Sequence, residues 1–196
     1  IGNKMIHFDY SNLDKNNLKN VEYFRDIPCD GDIFRAYYVA YKYGLIKDKT
    51  DLLGAIILKW VKESLITIEQ KQSGTVFKKE NMIVVLNKIN ENNFINQREK
   101  ELFKMLTTAS IDGYLESKEF EIWCKKSYYK ILSWFDRIIR VEEQKARENN
   151  LIEYTEDVAL GVFKNKKYVV TPELLKQAEE LAGLKRYLLD FSLIED

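Results

Sequence analysis

Hydrophobic and polar positions in the first third of the chain predict two helices. In "IFRAYYVAYKYG" (33–44), apolar side chains recur every three or four residues, which predicts a helix that ends at its glycine. Asp30 or Asp32 stands where a side chain can cap the first backbone amides of that helix. In "DLLGAIILKWV" (51–61) nearly every face is apolar, which predicts a second helix surrounded by protein.

The pattern then changes from helical spacing to strand alternation. "LITIEQ" (65–70) alternates, Ser73 and Gly74 give a turn signal, and "MIVVL" (82–86) is rich in β-branched residues. We expect 65–70 and 82–86 to pair as a β-hairpin.

The second half repeats this order. Asn96 with Glu99 makes a start typical of a capping box, and a long helix is predicted from about Ser127 to Asn149. After it, "VALGVF" and "KYVV" flank the turn-like "KNKK", which predicts a second hairpin.

Helix, helix, hairpin is the order of a winged-helix unit, and it occurs twice. We therefore predict an α+β fold, mostly helical, with two winged-helix-like units at 24–90 and 96–171. Residues 1–23 are polar and are interpreted as an arm or linker, and 172–196 as a C-terminal docking helix.

The clearest helix start is Thr171-Pro172-Glu173, with a threonine cap, a proline in the first turn and an acid at the positive end of the dipole. Lys185 and Arg186 lie beside the apolar stripe of this helix and are predicted to stay exposed, as possible contact residues. We expect the stripe to dock the helix on the preceding unit; it consists of Leu181, Leu184, Leu188 and Phe191.

Composition limits the function. The chain has 196 residues with 31 basic and 31 acidic side chains, so no overall charge points to a nucleic acid or membrane partner. Two distant cysteines and one histidine predict no metal site and a reducing compartment. The apolar run 52–61 is far shorter than the roughly 20 residues that span a bilayer. Because the chain begins with Ile1, we expect it to be a piece of a longer protein.

One basic surface is a candidate for nucleic-acid binding. Basic side chains are spaced to share one face of the long helix, as in a recognition helix. The alternative is an ordinary solvated face, because Asp136, Glu142, Glu143 and Glu148 lie on or near it and would repel phosphates. We favour the solvated face; the candidate residues are Lys126, Lys130, Arg137 and Arg140.

Catalytic patterns are not found. The sequence has no phosphate-binding glycine loop and no dinucleotide fingerprint, and its only histidine is His7. Cys124 stands between Trp123 and lysines, where a packed residue is commoner than a nucleophile. We predict no enzyme, no catalytic residue, no cofactor and no small-molecule ligand.

Three segments together resemble a known family. In order they are "YFRDIP…DIFRAYYVAYKYGLIKDKTDLLGAIILKWVKESLITI", "NQREKELFKML" and "LAGLKRYLLDFSLIED". They resemble the cytoplasmic part of the predicted bacterial and archaeal membrane protein family known as domain of unknown function 2207 (DUF2207). The resemblance implies a membrane helix before this chain and a cytoplasmic winged-helix-like region that this chain would be.

Two departures from the family pattern stand out. Ser64 replaces the glycine usual before the strand, and a polar segment holds the place of a transmembrane hairpin that members often carry before the last helix. The resemblance supplies no catalytic residue. The sequence therefore predicts a non-catalytic interaction or regulatory domain at the cytoplasmic face of a membrane, with protein partners; the alternative is a DNA-binding winged-helix regulator.

Overall fold

The computed structural model describes residues 20–46, 48–73, 79–159 and 163–192. They form a mixed α+β fold that is mostly helical, as the sequence predicts. The chain divides into two compact units. Unit 1 takes the described residues up to Asp48 and those from Ile139 onward, and unit 2 is Lys49–Ile138.

Helices and strands alternate along the described residues. A short 3₁₀ turn, Pro28–Gly31, precedes the first helix, and another, Glu91–Asn93, precedes the third. The regular elements are α1 (Ile33–Lys42), α2 (Asp51–Lys62), β1 (Thr67–Ser73), β2 (Lys79–Val85), α3 (Gln97–Ala109), β3 (Tyr114–Glu116), α4 (Ser117–Lys126), α5 (Tyr128–Glu148), β4 (Ile152–Ala159), β5 (Phe163–Val170) and α6 (Pro172–Ser192).

Both ends of α1 follow from its sequence. Asp32 caps the start, since its carboxylate accepts hydrogen bonds from the amides of Phe34 and Arg35. At the other end Gly44 has φ +66°, and the amide of Leu45 donates to the carbonyl of Ala40. This is the left-handed glycine closure that the sequence predicts for this helix.

The core of unit 1 joins α1, the last turns of α5, the base of the β4–β5 hairpin and α6. Its largest contributions come from tyrosines and aliphatic residues, and Val21, Leu45, Ile139 and Leu181 pack around it in partly buried positions. Its buried members are Tyr38, Val39, Tyr43, Ala146, Leu151, Ile152, Val170, Leu174, Ala178 and Ala182.

Unit 2 contains a three-stranded antiparallel sheet in the order β1-β2-β3. Thr67 pairs with Val85 and Gln70 with Met82, so the predicted pairing of 65–70 with 82–86 is confirmed. β3 adds to the other edge of β2, where Val85 faces Tyr114.

An aromatic cluster fills the core of unit 2. The ring of Phe94 lies 4.6 Å from that of Trp60 and 5.2 Å from that of Phe103. Trp134 is fully buried, and its indole N–H donates to the carbonyl of Arg98 at 3.0 Å. Such ring pairs add about 0.5–1.5 kcal/mol each beyond the burial of their area.

The two units do not have the predicted bounds 24–90 and 96–171. α1 packs with α6 and belongs to unit 1, whereas α2 belongs to unit 2. β3 pairs with β2 and so joins residues that the prediction placed in different units. The helix, helix, hairpin order is present twice, while the winged-helix description stays a prediction.

Two local predictions were wrong. "KNKK" was expected to be a turn but lies within β5, whose first residue Phe163 pairs with Ala159. Asn96 does cap α3 by accepting from the amide of Arg98, but Glu99 does not complete a capping box. Its side chain is buried against α2 instead.

Candidate interaction surfaces

The C-terminal half of α6 carries exposed apolar side chains. Leu188 and Leu189 are 53% and 52% exposed, and Phe191 is 47% exposed. The predicted docking stripe is therefore only half correct, because Leu181 packs on the core of unit 1 and Leu184 is half-buried, whereas Leu188 and Phe191 are exposed.

The reason is the length of α6 relative to its core. Leu174, Ala178 and Ala182 are buried in the core of unit 1, and the helix then continues to Ser192. Positions 174, 178, 181, 185 and 188 fall on one face at 100° per residue. Beyond Leu181 this face continues with Lys185 and Leu188, and both are exposed.

Lys185 and Arg186 are exposed, and both also bind backbone carbonyls. The ammonium of Lys185 donates to the carbonyl of Leu45, just past the end of α1. The guanidinium of Arg186 donates to the carbonyl of Val21 at 3.0 Å and lies 4.8 Å from the ring centre of Tyr23. These side chains tie α6 to neighbouring segments in unit 1.

Tyr23 brings an aromatic ring onto the same end of the helix. Its ring lies 5.6 Å from that of Phe191 and 6.2 Å from that of Tyr187, both edge to face. Its hydroxyl donates to Asp190 at 2.8 Å, and this hydrogen bond raises the pKa of Tyr23. We call this surface the α6 end; it consists of Tyr23, Leu188, Leu189 and Phe191.

The four residues predicted as a nucleic-acid face do not all lie on one helix or in one unit. Lys126 is the last residue of α4, so it does not lie on α5. Arg137 is exposed but forms an ion pair with Glu101 at 3.0 Å, and Asp136 lies 3.6 Å from Lys49. Arg140 is exposed and belongs to unit 1.

Lys130 and Arg137 line a groove between α3 and α5 in unit 2. Its volume is about 470 Å³. α3 contributes Lys104, Met105 and Glu101, and α5 adds Tyr129 and Ser133. We call this the α3–α5 groove. The sequence did not predict it, because side chains on two helices meet only after the helices pack.

Two buried acids were also missed by sequence reasoning. Glu99 is 6% exposed and accepts from the ammonium of Lys59 at 2.7 Å and from the indole of Trp60 at 2.9 Å. Burial of Lys59 opposes its charge, but the hydrogen bond and charge of Glu99 outweigh this, so the pKa of Lys59 is raised.

Glu142 was expected on the solvated side of α5 but is 2% exposed, with Lys145 as an ion-pair partner at 3.0 Å. Glu143 pairs with Lys42 at 2.9 Å. Glu143 therefore links α5 to α1, whereas Glu142 pairs with Lys145 within α5, and neither acid is part of an open acidic surface.

Neither cysteine has the properties of a nucleophile. Cys29 is buried, and burial raises the pKa of its thiol to about 12. Burial also raises the pKa of the half-buried Cys124. Both thiols are therefore protonated at neutral pH, and a thiolate is required for attack.

In 20–46, 48–73, 79–159 and 163–192, no three His, Cys, Asp or Glu side chains are arranged to hold a metal ion. Within the same ranges, no helix combines the length and apolar character needed to cross a bilayer.

No family model, no curated protein and no solved structure matches this chain. The resemblance to the DUF2207 family therefore stays a prediction.

Proposed function

We propose that this chain is a non-catalytic protein-interaction module whose contact surface is the α6 end. The observation that carries the proposal is the half-exposed group of Leu188, Leu189 and Phe191 on one helix end. Exposed apolar side chains that lie close together mark contact sites more often than single exposed ones do. Aromatic residues are also enriched at protein interfaces.

The surrounding contacts support a preformed surface. Arg186 and Lys185 hold α6 against Val21 and Leu45, and Tyr23 packs on Phe191. A surface that is already ordered loses little conformational entropy when a partner binds.

A second part of the proposal concerns location. We place the module at the cytoplasmic face of a membrane, attached through segments outside this chain, and the support for this part is the resemblance alone. The test is fractionation of the full-length protein: it should stay with membranes after an alkaline wash, and recovery in the soluble fraction would contradict this part.

The contact surface is tested by photocrosslinking in the host cell. A benzoylphenylalanine at Leu189 of the full-length protein should give one or a few discrete protein adducts. Benzoylphenylalanine in place of Glu173, an exposed position in the first turn of α6, is the matched control and should give no protein adduct. Leu188→Asp should remove the adducts formed from position 189.

The proposal fails if positions 173 and 189 crosslink equally, or if neither does. It also fails if Leu188→Asp leaves the adducts unchanged. Because Leu188 is 53% exposed, the variant should keep its fold, which far-UV circular dichroism checks.

A further inference from the structure

The α3–α5 groove belongs to unit 2 and is separate from the α6 end. Its lining surface is mainly carbon, and Met105 and Tyr129 are among the lining residues. Tyr129 is 85% exposed and its ring meets that of Tyr128 edge to face, 5.9 Å away. A methionine beside an open aromatic ring suits an apolar side chain of variable shape.

Cationic groups surround this apolar floor. Lys130 is exposed, and among the described residues no carboxylate lies within ion-pair distance of it. Lys104 pairs with Glu91 at 2.6 Å, with both side chains well exposed. Exposed pairs of this kind are worth at most about 1 kcal/mol, so an incoming carboxylate can replace the partner.

Arg137 closes one end of the groove. Its guanidinium donates to the hydroxyl of Ser133 and to Glu101, each at 3.0 Å, which fixes its position. Glu101 is the one acid in the lining of the groove, and it is paired with Arg137, so Lys104 and Lys130 are the lining cations that face a ligand. Phosphate groups would gain no binding energy from the apolar floor of the groove, whereas an apolar peptide side chain can pack against it.

We propose that the α3–α5 groove binds a short acidic peptide segment of a partner protein. An apolar side chain of the peptide lies on Met105 and Tyr129, and flanking carboxylates pair with Lys130 and Lys104. Charge complementarity around an apolar anchor is the usual division of roles in such sites, with charges giving specificity and the anchor giving affinity. This site goes beyond the proposed function of the α6 end and does not depend on it.

Methionine methyl groups give a direct test. The chain has three methionines, and Met105 is in the groove while Met82 is exposed on β2 of the same unit. The chain is labelled with ¹³C-methyl methionine and titrated with the peptide Asp-Glu-Leu-Phe-Asp-Glu-Leu. The methyl signal of Met105 should move saturably and that of Met82 should not. Met105→Leu and Met82→Leu variants assign the signals.

Three variants locate the binding. Lys130→Glu and Tyr129→Ala should each raise the peptide Kd about tenfold, a loss of about 1.4 kcal/mol. Lys118→Glu is the matched control, because Lys118 is an exposed lysine on α4 outside the groove, and it should leave the Kd unchanged. All three positions are exposed, and thermal unfolding checks that each variant is folded.

Several results would overturn the proposal. They are no shift of Met105 at millimolar peptide, equal shifts of Met82 and Met105, or equal losses with Lys130→Glu and Lys118→Glu. A peptide in which serine replaces leucine and phenylalanine should bind more weakly. Equal affinity for this peptide would show that no apolar side chain anchors the ligand. Tighter binding of duplex DNA at Met105 would assign the groove to nucleic acid.

Discussion

Gly183 lies where α6 is crossed by the chain before α1. A Cβ atom at this position would stand 2.3 Å from the carbonyl oxygen of Glu22 and 3.1 Å from the Cβ of Phe24. Real Cβ atoms do not approach backbone this closely, so glycine is required for the contact that orders the α6 end.

Gly183→Ala should therefore destabilise unit 1 by about 1–3 kcal/mol, the range for an overpacked site. The net change is a loss only if the overpacking cost exceeds the roughly 1 kcal/mol of stability that alanine gains over glycine in a helix interior. Urea unfolding followed by far-UV circular dichroism measures the change.

Gly54→Ala in α2 is the matched control. No atom lies within 4 Å of a Cβ at Gly54, so only the helix propensity acts there, and this variant should be more stable than the wild type. If both variants gain stability, the crossing at Gly183 is not as tight as the structure has it.

At the scale of single residues, the sequence predicts helix caps and helix ends best. The cap at Asp32 and the closure at Gly44 depend on neighbouring residues only, and both are present. Ser64, noted for replacing a glycine, has φ +58°, a conformation that favours glycine. Glu99 was misassigned because its partners Lys59 and Trp60 are distant in sequence, and no local pattern reveals a buried charge.

At the scale of elements, alternation predicts strands well and turns less well. β1 and β2 overlap the two predicted runs, but β1 continues to Ser73, which was expected in the turn and instead pairs with Lys79. "KNKK" was misread because lysines and asparagine suit an edge strand as well as a turn, and β4 and β5 are both edges of a two-stranded sheet. β3 has three residues, too few for a period to be visible.

The helix α6 shows a second limit. Its apolar stripe is continuous along the sequence, so periodicity assigns every position in it to the core. Whether a position is covered depends on where the neighbouring elements end. Leu188 was expected to dock on the preceding unit but is 53% exposed, whereas Leu174, two heptads earlier on the same helix, is 2% exposed.

This difference predicts opposite outcomes for two similar variants. Leu174→Ala should cost about 2–5 kcal/mol, because it leaves a cavity in the core of unit 1. Leu188→Ala should change the free energy of unfolding by less than about 1 kcal/mol, because the side chain is half in solvent. Urea unfolding followed by circular dichroism compares them; equal losses would show that the α6 end is covered.

For the molecule as a whole, the class of fold was predicted and the division of the chain was not. A repeated order of elements suggested two consecutive units, but unit 1 is assembled from both ends of the chain. Long-range pairs decide this: α1 packs on α6, and β3 pairs with β2. Sequence order alone does not show which helix a given apolar face will meet.

Unit 2 is formed by one continuous segment of the chain, so it can be produced as a fragment without joining distant segments. Residues 49–138 contain their own core, with Trp60, Phe94 and Phe103 in mutual contact and Trp134 fully buried. Burial of an aromatic or aliphatic side chain contributes about 1.5–3 kcal/mol, which for this core is enough for independent folding of a domain near this size.

The fragment 49–138 should fold by itself. All three tryptophans lie in it, so blue-shifted emission and a cooperative urea transition report its folding directly. The shorter fragment 49–126 lacks Trp134, Phe135 and Ile138, all buried, and should show neither property. If 49–138 unfolds without cooperativity, its core is not sufficient, and the chain folds as one unit.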